Sequence, residues 1–212
     1  MKIYSTLFLI FTFLFSSLNA QISIRDAREA NPDGTLILDG NEVTVTGIAI
    51  GPNFRPGGQT FALVDTSDNI GITIFSTNDD FGYSVTDGDE LEVTGTLAQF
   101  SGLAEIVPTT INILSQGHPV PSPTEVQQLD EFSESNLVVI RDLMIIDEND
   151  WNLSGSFNID VTNGQQTFEL RIDSDTDISG MDPPTGTFDV TGIGGQFDNE
   201  SPHDSGYQLF PR

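Results

Sequence analysis

One stretch of this chain occurs twice, and it constrains the fold more than any other feature. The first copy is Asp89-Glu-Leu-Glu-Val-Thr-Gly-Thr-Leu-Ala-Gln-Phe100, and the second is Gly186-Thr-Phe-Asp-Val-Thr-Gly-Ile-Gly-Gly-Gln-Phe197. Both contain Val-Thr-Gly and end in Gln-Phe, and a third Val-Thr-Gly lies at residues 45–47. In the first copy apolar and polar residues alternate, which is typical of a strand with one buried face. The repeat therefore predicts two β domains in tandem.

The first twenty residues have the pattern of a secretory signal. Lys2 is followed by an apolar run from Leu7 to Leu14 and by Leu18-Asn19-Ala20, so cleavage is expected before Gln21. The apolar run is too short for a membrane span. The chain has no Cys, which excludes a lipoprotein anchor and any disulfide framework. We expect a secreted or periplasmic protein without a membrane span.

The charge balance is strongly acidic. Lys and Arg together number 7 against 32 acidic residues, for a formal net charge of −25 at pH 7. Such a surface repels phosphate backbones, although salt screens the repulsion beyond roughly 8–10 Å, so that a local arginine site remains possible. The acidity favours solubility in a salty medium and loose attraction of divalent cations.

The first domain is predicted to span residues 21–115. Ser23 to Ala30 has a Ser start and good helix formers, and predicts a short helix. Five strands follow, the last of them ending at Pro108. Gly47 and Gly95 lie inside the first and fourth strands, where glycine is typical of a bulge or a barrel corner.

The Pro-rich residues 116–123 predict a linker, because proline cannot join a sheet ladder. The second domain then covers residues 124–212, with a helix predicted from Thr124 to Phe132. Asn163-Gly164 is a strong hairpin signal. Extra residues within 198–205 make the loop after the second repeat longer than its counterpart in the first domain, and we expect a specific ligand site in this loop, Gln196 to Ser205.

The fold class expected from these patterns is all-β. Two tandem five-stranded OB-like Greek-key barrels, each preceded by a short helix, fit best, since closure also removes exposed strand edges. A β-sandwich is the alternative.

A family resemblance follows from several short segments. Ser23-Ile-Arg-Asp-Ala-Arg28 and Glu42-Val-Thr-Val-Thr-Gly47 resemble OB-like modules that accompany bacterial extracellular nucleases. Arg171-Ile-Asp-Ser-Asp-Thr-Asp177 and Gly206-Tyr-Gln-Leu-Phe-Pro-Arg212 resemble modules of secreted Bacteroidota proteins. The resemblance covers nearly all of the chain after residue 20. It implies a module, and it carries over no catalytic residue.

OB folds bind oligonucleotides or oligosaccharides on strands two and three and on the neighbouring loops. Aromatic and arginine side chains at these places are the candidate ligand contacts: Phe54, Arg55, Phe75, Tyr83 and Phe100 in the first domain, and Trp151, Arg171, Phe197, Tyr207 and Arg212 in the second. Single-stranded nucleic acid needs such aromatics together with a basic groove. Neutral sugars need stacking platforms and carboxylate acceptors rather than positive charge, which suits an acidic surface with aromatic residues, and Trp151 would report their binding.

Asp173, Asp175 and Asp177 have the alternating spacing that begins a calcium loop. Ile178 and Pro184 stand where an EF-hand needs Gly and Glu, so that motif fails and only a looser Ca²⁺ site remains possible. The alternative is a turn in which Asp side chains cap backbone N–H groups.

Catalysis is not expected. The two histidines are His118 in the linker and His203, and Ser201, His203 and Asp204 are too close in sequence for a triad. The sequence thus predicts a monomeric, non-enzymatic binding or spacer module without a required cofactor. The alternatives are a nucleic-acid-binding accessory of a nuclease system and a calcium-dependent carbohydrate-binding module.

Overall fold

The computed structural model describes residues 21–212, so the predicted signal sequence lies outside the described residues. The first unit contains a one-turn helix, α1 (Ile24–Ala27), and five strands. The strands are β1 (Glu42–Ile50), β2 (Gln59–Asp65), β3 (Ile70–Ser76), β4 (Glu90–Phe100) and β5 (Leu103–Ser115). They form a closed barrel in the order β1-β2-β3-β5-β4, in which β3 and β5 pair in parallel. The predicted five-stranded barrel is confirmed for this unit.

The repeated stretch forms β4, and its alternation is the one expected. Leu91, Val93 and Leu97 are fully buried in the first barrel's core. At Gly95 the register of β4 against β5 shifts, and a Cβ there would lie 2.3 Å from the Val107 carbonyl oxygen. The glycine is therefore required by a bulge at which the two strands approach closely.

The second unit repeats this arrangement. Its strands are β6 (Thr124–Glu125), β7 (Leu137–Ile145), β8 (Phe157–Thr162), β9 (Thr167–Ile172), β10 (Phe188–Gln196) and β11 (Tyr207–Pro211). The sheet order is β10-β11-β9-β8-β7-β6, and β10 also pairs with β7. Strands β7 to β11 thus neighbour one another as β1 to β5 do, and β9 and β11 are again the parallel pair. The molecule is all-β, as predicted.

Two local predictions are wrong. The helix expected from Thr124 to Phe132 does not form, because Thr124 and Glu125 pair in parallel with β7 and the Asp130 carboxylate accepts hydrogen bonds from the next turn. Strand β5 does not end at Pro108 but continues to Ser115. Pro108 is tolerated because it lies opposite Gly95, at the irregularity where the ladder is already interrupted.

The two barrels pack directly against each other. An apolar cluster joins Ile50, Phe54, Ala62 and Val64 of the first barrel to residues of the second, namely Leu137, Ile193 and Phe210. The Thr73 and Ser135 hydroxyls are 2.8 Å apart across the same contact. Residues 116–123 lie outside the strands, but this contact, and not the linker, determines how the barrels are arranged.

A buried ion pair completes the contact. The Arg28 side chain is only 4% exposed and lies 3.1 Å from a Glu134 carboxylate oxygen, and it also donates to the Gly71 and Glu134 carbonyls. Glu131 binds the same guanidinium at 2.6 Å. Burial raises the pKa of Glu134, and Arg28 opposes that rise. Arg28, expected only to be part of a helix, therefore connects the barrels.

The longer loop of the second unit also contacts the first barrel. The Asp198 amide donates to the Ser101 carbonyl at 2.6 Å, and the Ser101 hydroxyl donates to Asn199 at 2.8 Å. The Ser201 hydroxyl donates to the Asp33 carbonyl at 2.7 Å. Residues 198–201 of this loop therefore help to join the barrels, and a ligand site in the loop stays a prediction.

Candidate ligand-binding groove between the barrels

Corresponding faces of the two barrels line one groove. In the first barrel Phe61 and Leu63 point into the core, so the alternate residues of β2, β3 and β5 point outward. Their counterparts in the second barrel lie on β8, β9 and β11. The cavity between these faces has a volume of about 440 Å³, and its strand residues include Thr60, Thr73, Glu105, Asn158, Arg171 and Gln208. A volume in this range is typical of small-molecule sites.

The ends of the two sequence repeats meet at the groove. Phe100 ends β4 and Phe197 follows β10, and their ring centroids are 6.3 Å apart. The rings are 59% and 54% exposed, which is unusual for a pair of large aromatic side chains in contact. The preceding glutamines are structural: Gln99 and Gln196 each donate to carbonyls of the loop that follows them. The Gln-Phe repeat therefore places one exposed ring at the groove from each barrel.

Further aromatic rings line the inner part of the groove. Phe54 from the β1–β2 loop contacts Phe210 of β11 edge to face, at 5.5 Å between centroids. Phe75 at the end of β3 carries the Arg55 guanidinium at 5.1 Å from its ring centroid, a cation–π distance. The groove thus has stacking surfaces at its rim and along its wall.

The arginines of the groove differ from the others. Within residues 21–212, Arg25, Arg28, Arg141 and Arg212 form ion pairs with carboxylates. Neither Arg55 nor Arg171 has a carboxylate within 4.0 Å; Arg55 lies on Phe75, and Arg171 donates to the Asn158 side-chain oxygen at 2.9 Å. In a protein with 32 acidic residues, both arginines without an ion pair are in the groove.

Glu105 is a further groove residue, which the sequence patterns did not indicate as a ligand contact. It pairs with Thr73 across β5 and β3, is 7% exposed and lines the groove. Burial raises the pKa of its carboxyl to about 7, and the Arg55 charge opposes this rise only in part. The one available signal was a Glu at an outward position of an otherwise apolar strand. A buried carboxyl of this kind in a cleft is typical of ligand sites.

Of the predicted contacts, Phe54, Arg55, Phe75, Phe100, Arg171 and Phe197 come together in the groove. Tyr83 does not, since it is buried at 5.9 Å from Phe61, and burial raises its pKa to about 12. Tyr207 lies beside Glu131, where burial raises its pKa further. Arg212 pairs with Asp87.

Trp151 lies at a different cavity. Its ring contacts Phe157 at 5.3 Å, and its indole N–H donates to the Met181 carbonyl at 2.8 Å. The cavity beside it, of about 310 Å³, is lined mostly by apolar side chains. Because the only indole donor is already bonded, Trp151 can offer a ligand the ring alone.

The three aspartates proposed for calcium do not converge. Asp173 lines the groove, and its carboxylate accepts from the Asp175 amide at 2.9 Å, which is the alternative turn-capping role. Asp175 and Asp177 line another cleft, beside Asp87. In the described part of the chain no group of three or more His, Cys, Asp or Glu side chains is arranged to hold a metal ion. Calcium binding stays a prediction, to be tested by melting with millimolar Ca²⁺.

A Ser-His-Glu cluster lies at the end of β5 but lacks the geometry of a catalytic relay. The Ser115 hydroxyl is 2.6 Å from the His118 Nε2 and also 2.6 Å from a Glu90 oxygen. The same Nε2 is the ring atom closest to Glu90, at 3.6 Å. In a relay the acid and the nucleophile bind opposite ring nitrogens.

No helix in residues 21–212 combines the length and apolarity that crossing a bilayer would require. No protein-family model matches the sequence, and no curated protein matches it significantly.

Solved structures give distant matches. The hypothetical protein YgiW from E. coli is 18% identical, with 45% of this chain and 91% of that chain covered and a TM-score of 0.35. A murine DNA-binding protein bound to double-stranded DNA is 11% identical, with 81% and 90% covered and a TM-score of 0.40. The Ifi202 HINa domain in complex with DNA is 12% identical, with 83% and 94% covered and a TM-score of 0.36. Matches at this level assign no function to the chain.

Proposed function

We propose that the chain is an exported, non-catalytic binding module of two OB-like barrels, with its ligand in the groove between them. The observation that carries the proposal is the convergence of exposed aromatic rings and two arginines without ion pairs on corresponding faces of both barrels. OB folds use this face together with the loops after strands one and four. Phe54 and Arg55 belong to the first of these loops, and Phe100 adjoins the second.

A binding role explains these side chains better than a spacer role does. A spacer has no need for the exposed Phe100 and Phe197 rings, which cost hydration free energy. It also gives no reason for leaving Arg55 and Arg171 without carboxylate partners.

The binding role is tested with a double variant of the exposed rings. Phe100→Ala/Phe197→Ala is expected to weaken binding of the groove's ligand at least tenfold, about 1.4 kcal/mol. Phe132→Ala is the matched control, since Phe132 is similarly exposed but lies outside the groove. The panel comprises acidic and neutral oligosaccharides and an oligothymidylate, measured by calorimetry. Equal weakening by the control, or no binding by any member, would contradict the proposal.

Export and the absence of turnover need their own measurements. Mass spectrometry of the exported protein is expected to give a chain beginning at Gln21. The panel members should be recovered unchanged after long incubation with the protein. A product of defined length that wild type forms and the double variant does not would show that the groove is an active site.

A further inference from the structure

We infer that the groove binds an acidic oligosaccharide, a short chain of sugar rings that carry carboxylate or sulfate groups. The inference rests on the proposed binding function and names its ligand class. The groove supplies three kinds of contact: the Phe100 and Phe197 faces, the Arg55 and Arg171 guanidinium groups, and the amide of Gln208.

The two arginines require an anion. Carboxylates greatly outnumber guanidinium groups, and four of the six arginines form ion pairs with carboxylates. Two of these four, Arg141 and Arg212, belong to the second barrel. Arg55 and Arg171 lie on opposite walls of the groove, one from each barrel. A guanidinium left without a carboxylate in such a protein is free to bind an oxyanion of the ligand. A neutral sugar would leave both guanidinium groups without a counter-ion.

The number of arginines in the groove also limits how many anionic groups the ligand carries. A nucleic acid strand presents a phosphate on every nucleotide, and its affinity depends on how many of them Lys and Arg neutralise. Here the groove offers two cations and also contains the Asp173 carboxylate, in a protein of formal charge −25. Two neutralised phosphates give a single-strand salt slope of only about −1.4, far below that of typical nucleic-acid binders. An oligosaccharide with few acidic groups matches two arginines better.

The remaining groups suit sugar hydroxyls. Glu105 lines the groove and forms no ion pair within residues 21–212, and burial keeps its carboxyl partly protonated near pH 7, so that it can donate as well as accept. The Gln208 side chain is mostly buried beside it and makes no hydrogen bond within residues 21–212 that would occupy its amide. Exposed Phe rings on the rim give the flat, apolar faces on which sugar rings stack.

The test measures four probes by calorimetry: tri-galacturonate, a chondroitin sulfate tetrasaccharide, cellotetraose and an oligothymidylate. One or both acidic sugars are expected to bind wild type at least tenfold more tightly than cellotetraose and the oligothymidylate. Arg55→Ala and Arg171→Ala should each weaken that binding at least tenfold. Arg141→Ala, which removes an ion-paired arginine outside the groove, should not. The preference between the two acidic probes identifies carboxylate or sulfate as the anion.

Three results would overturn the inference. Tightest binding of the oligothymidylate with dependence on both arginines would make the ligand a nucleic acid. Cellotetraose bound as tightly as the acidic sugars, without loss in either variant, would make it a neutral glycan; in both cases the binding function stands. If no probe binds, the binding function fails as well. Arg171→Gln, which removes the charge but keeps a long polar side chain with N–H donors, replaces Arg171→Ala if the latter melts early.

Discussion

At the scale of single residues, the chemistry of Glu105 depends on the fold and not on the residues next to it in sequence. Its position on β5 is an outward one, but the second barrel covers that face. The carboxyl is therefore buried against the groove, and its pKa rises to about 7 because burial disfavours the charged form. A charged Glu105 destabilises the folded state.

Glu105→Gln should remove this effect. A carboxyl whose pKa is higher in the folded than in the unfolded protein stabilises the fold fully below its unfolded pKa of 4.5, and that stability is lost as pH rises through about 7. The variant does not titrate, so above pH 8 it should be more stable than wild type by on the order of 1 kcal/mol. Urea unfolding from pH 4 to 9 measures the free energy of unfolding of wild type and of Glu105→Gln.

Burial also raises the pKa of Glu134, so the difference in unfolding free energy between wild type and Glu105→Gln is the relevant quantity. A difference in unfolding free energy that stays constant from pH 4 to 9 would show that Glu105 is not perturbed.

At the scale of elements, the loop after β10 has two parts: its first residue, Phe197, lies in the groove, and residues 198–201 contact the first barrel. Gly34 lies under it with φ +80°, and a Cβ there would be 1.7 Å from the Pro202 carbonyl oxygen. Gly40 has φ +77° and nothing within 4 Å of such a Cβ. Both positions have a left-handed backbone conformation that is strained for alanine, and they differ in the contact with the loop.

Gly34→Ala and Gly40→Ala therefore form a matched pair. Gly40→Ala should cost about 1–2 kcal/mol, from the left-handed conformation alone. Gly34→Ala should cost about 2 kcal/mol more, because the loop must also leave the first barrel. Chemical denaturation measures both. Equal losses would mean that the loop does not press on Gly34 in solution.

The elements also show what sequence patterns can predict. The alternation and the glycine of the repeat predicted β4 and its bulge, and Asn163-Gly164 predicted the β8–β9 hairpin. Six of the ten candidate ligand contacts lie in the groove. Tyr83 and Trp151 do not, because a loop aromatic fits the end of a barrel as readily as its surface, and no periodicity distinguishes the two. The prediction of a helix from Thr124 to Phe132 was wrong because β6 pairs in parallel with β7, and sequence patterns do not indicate pairing between residues far apart in the chain.

At the scale of the whole molecule, the contact between the two barrels is both apolar and ionic. Nothing in the sequence around Arg28 and Glu134 indicates that they meet, since the pair depends on how the barrels dock. Arg28, which follows α1, is buried with Glu134, whereas Arg25 of α1 pairs with Asp68 in solvent.

Arg28→Ala should cost about 3–5 kcal/mol, because it leaves the Glu134 carboxyl buried without its cation. Arg25→Ala should cost no more than about 1 kcal/mol, as for an exposed pair. Calorimetry is expected to show one unfolding transition for wild type and separate transitions of the barrels for Arg28→Ala. Similar effects of the two substitutions would contradict the role of Arg28 between the barrels.

The docked arrangement is what brings the two faces together in one groove, and amide NMR tests this most directly. With the tightest binder of the four-probe panel, we expect the shifted amides to lie on both walls, around Thr73 and Glu105 in the first barrel and around Arg171 and Gln208 in the second. Shifts confined to one barrel, or centred on the cavity beside Trp151, would contradict a shared groove.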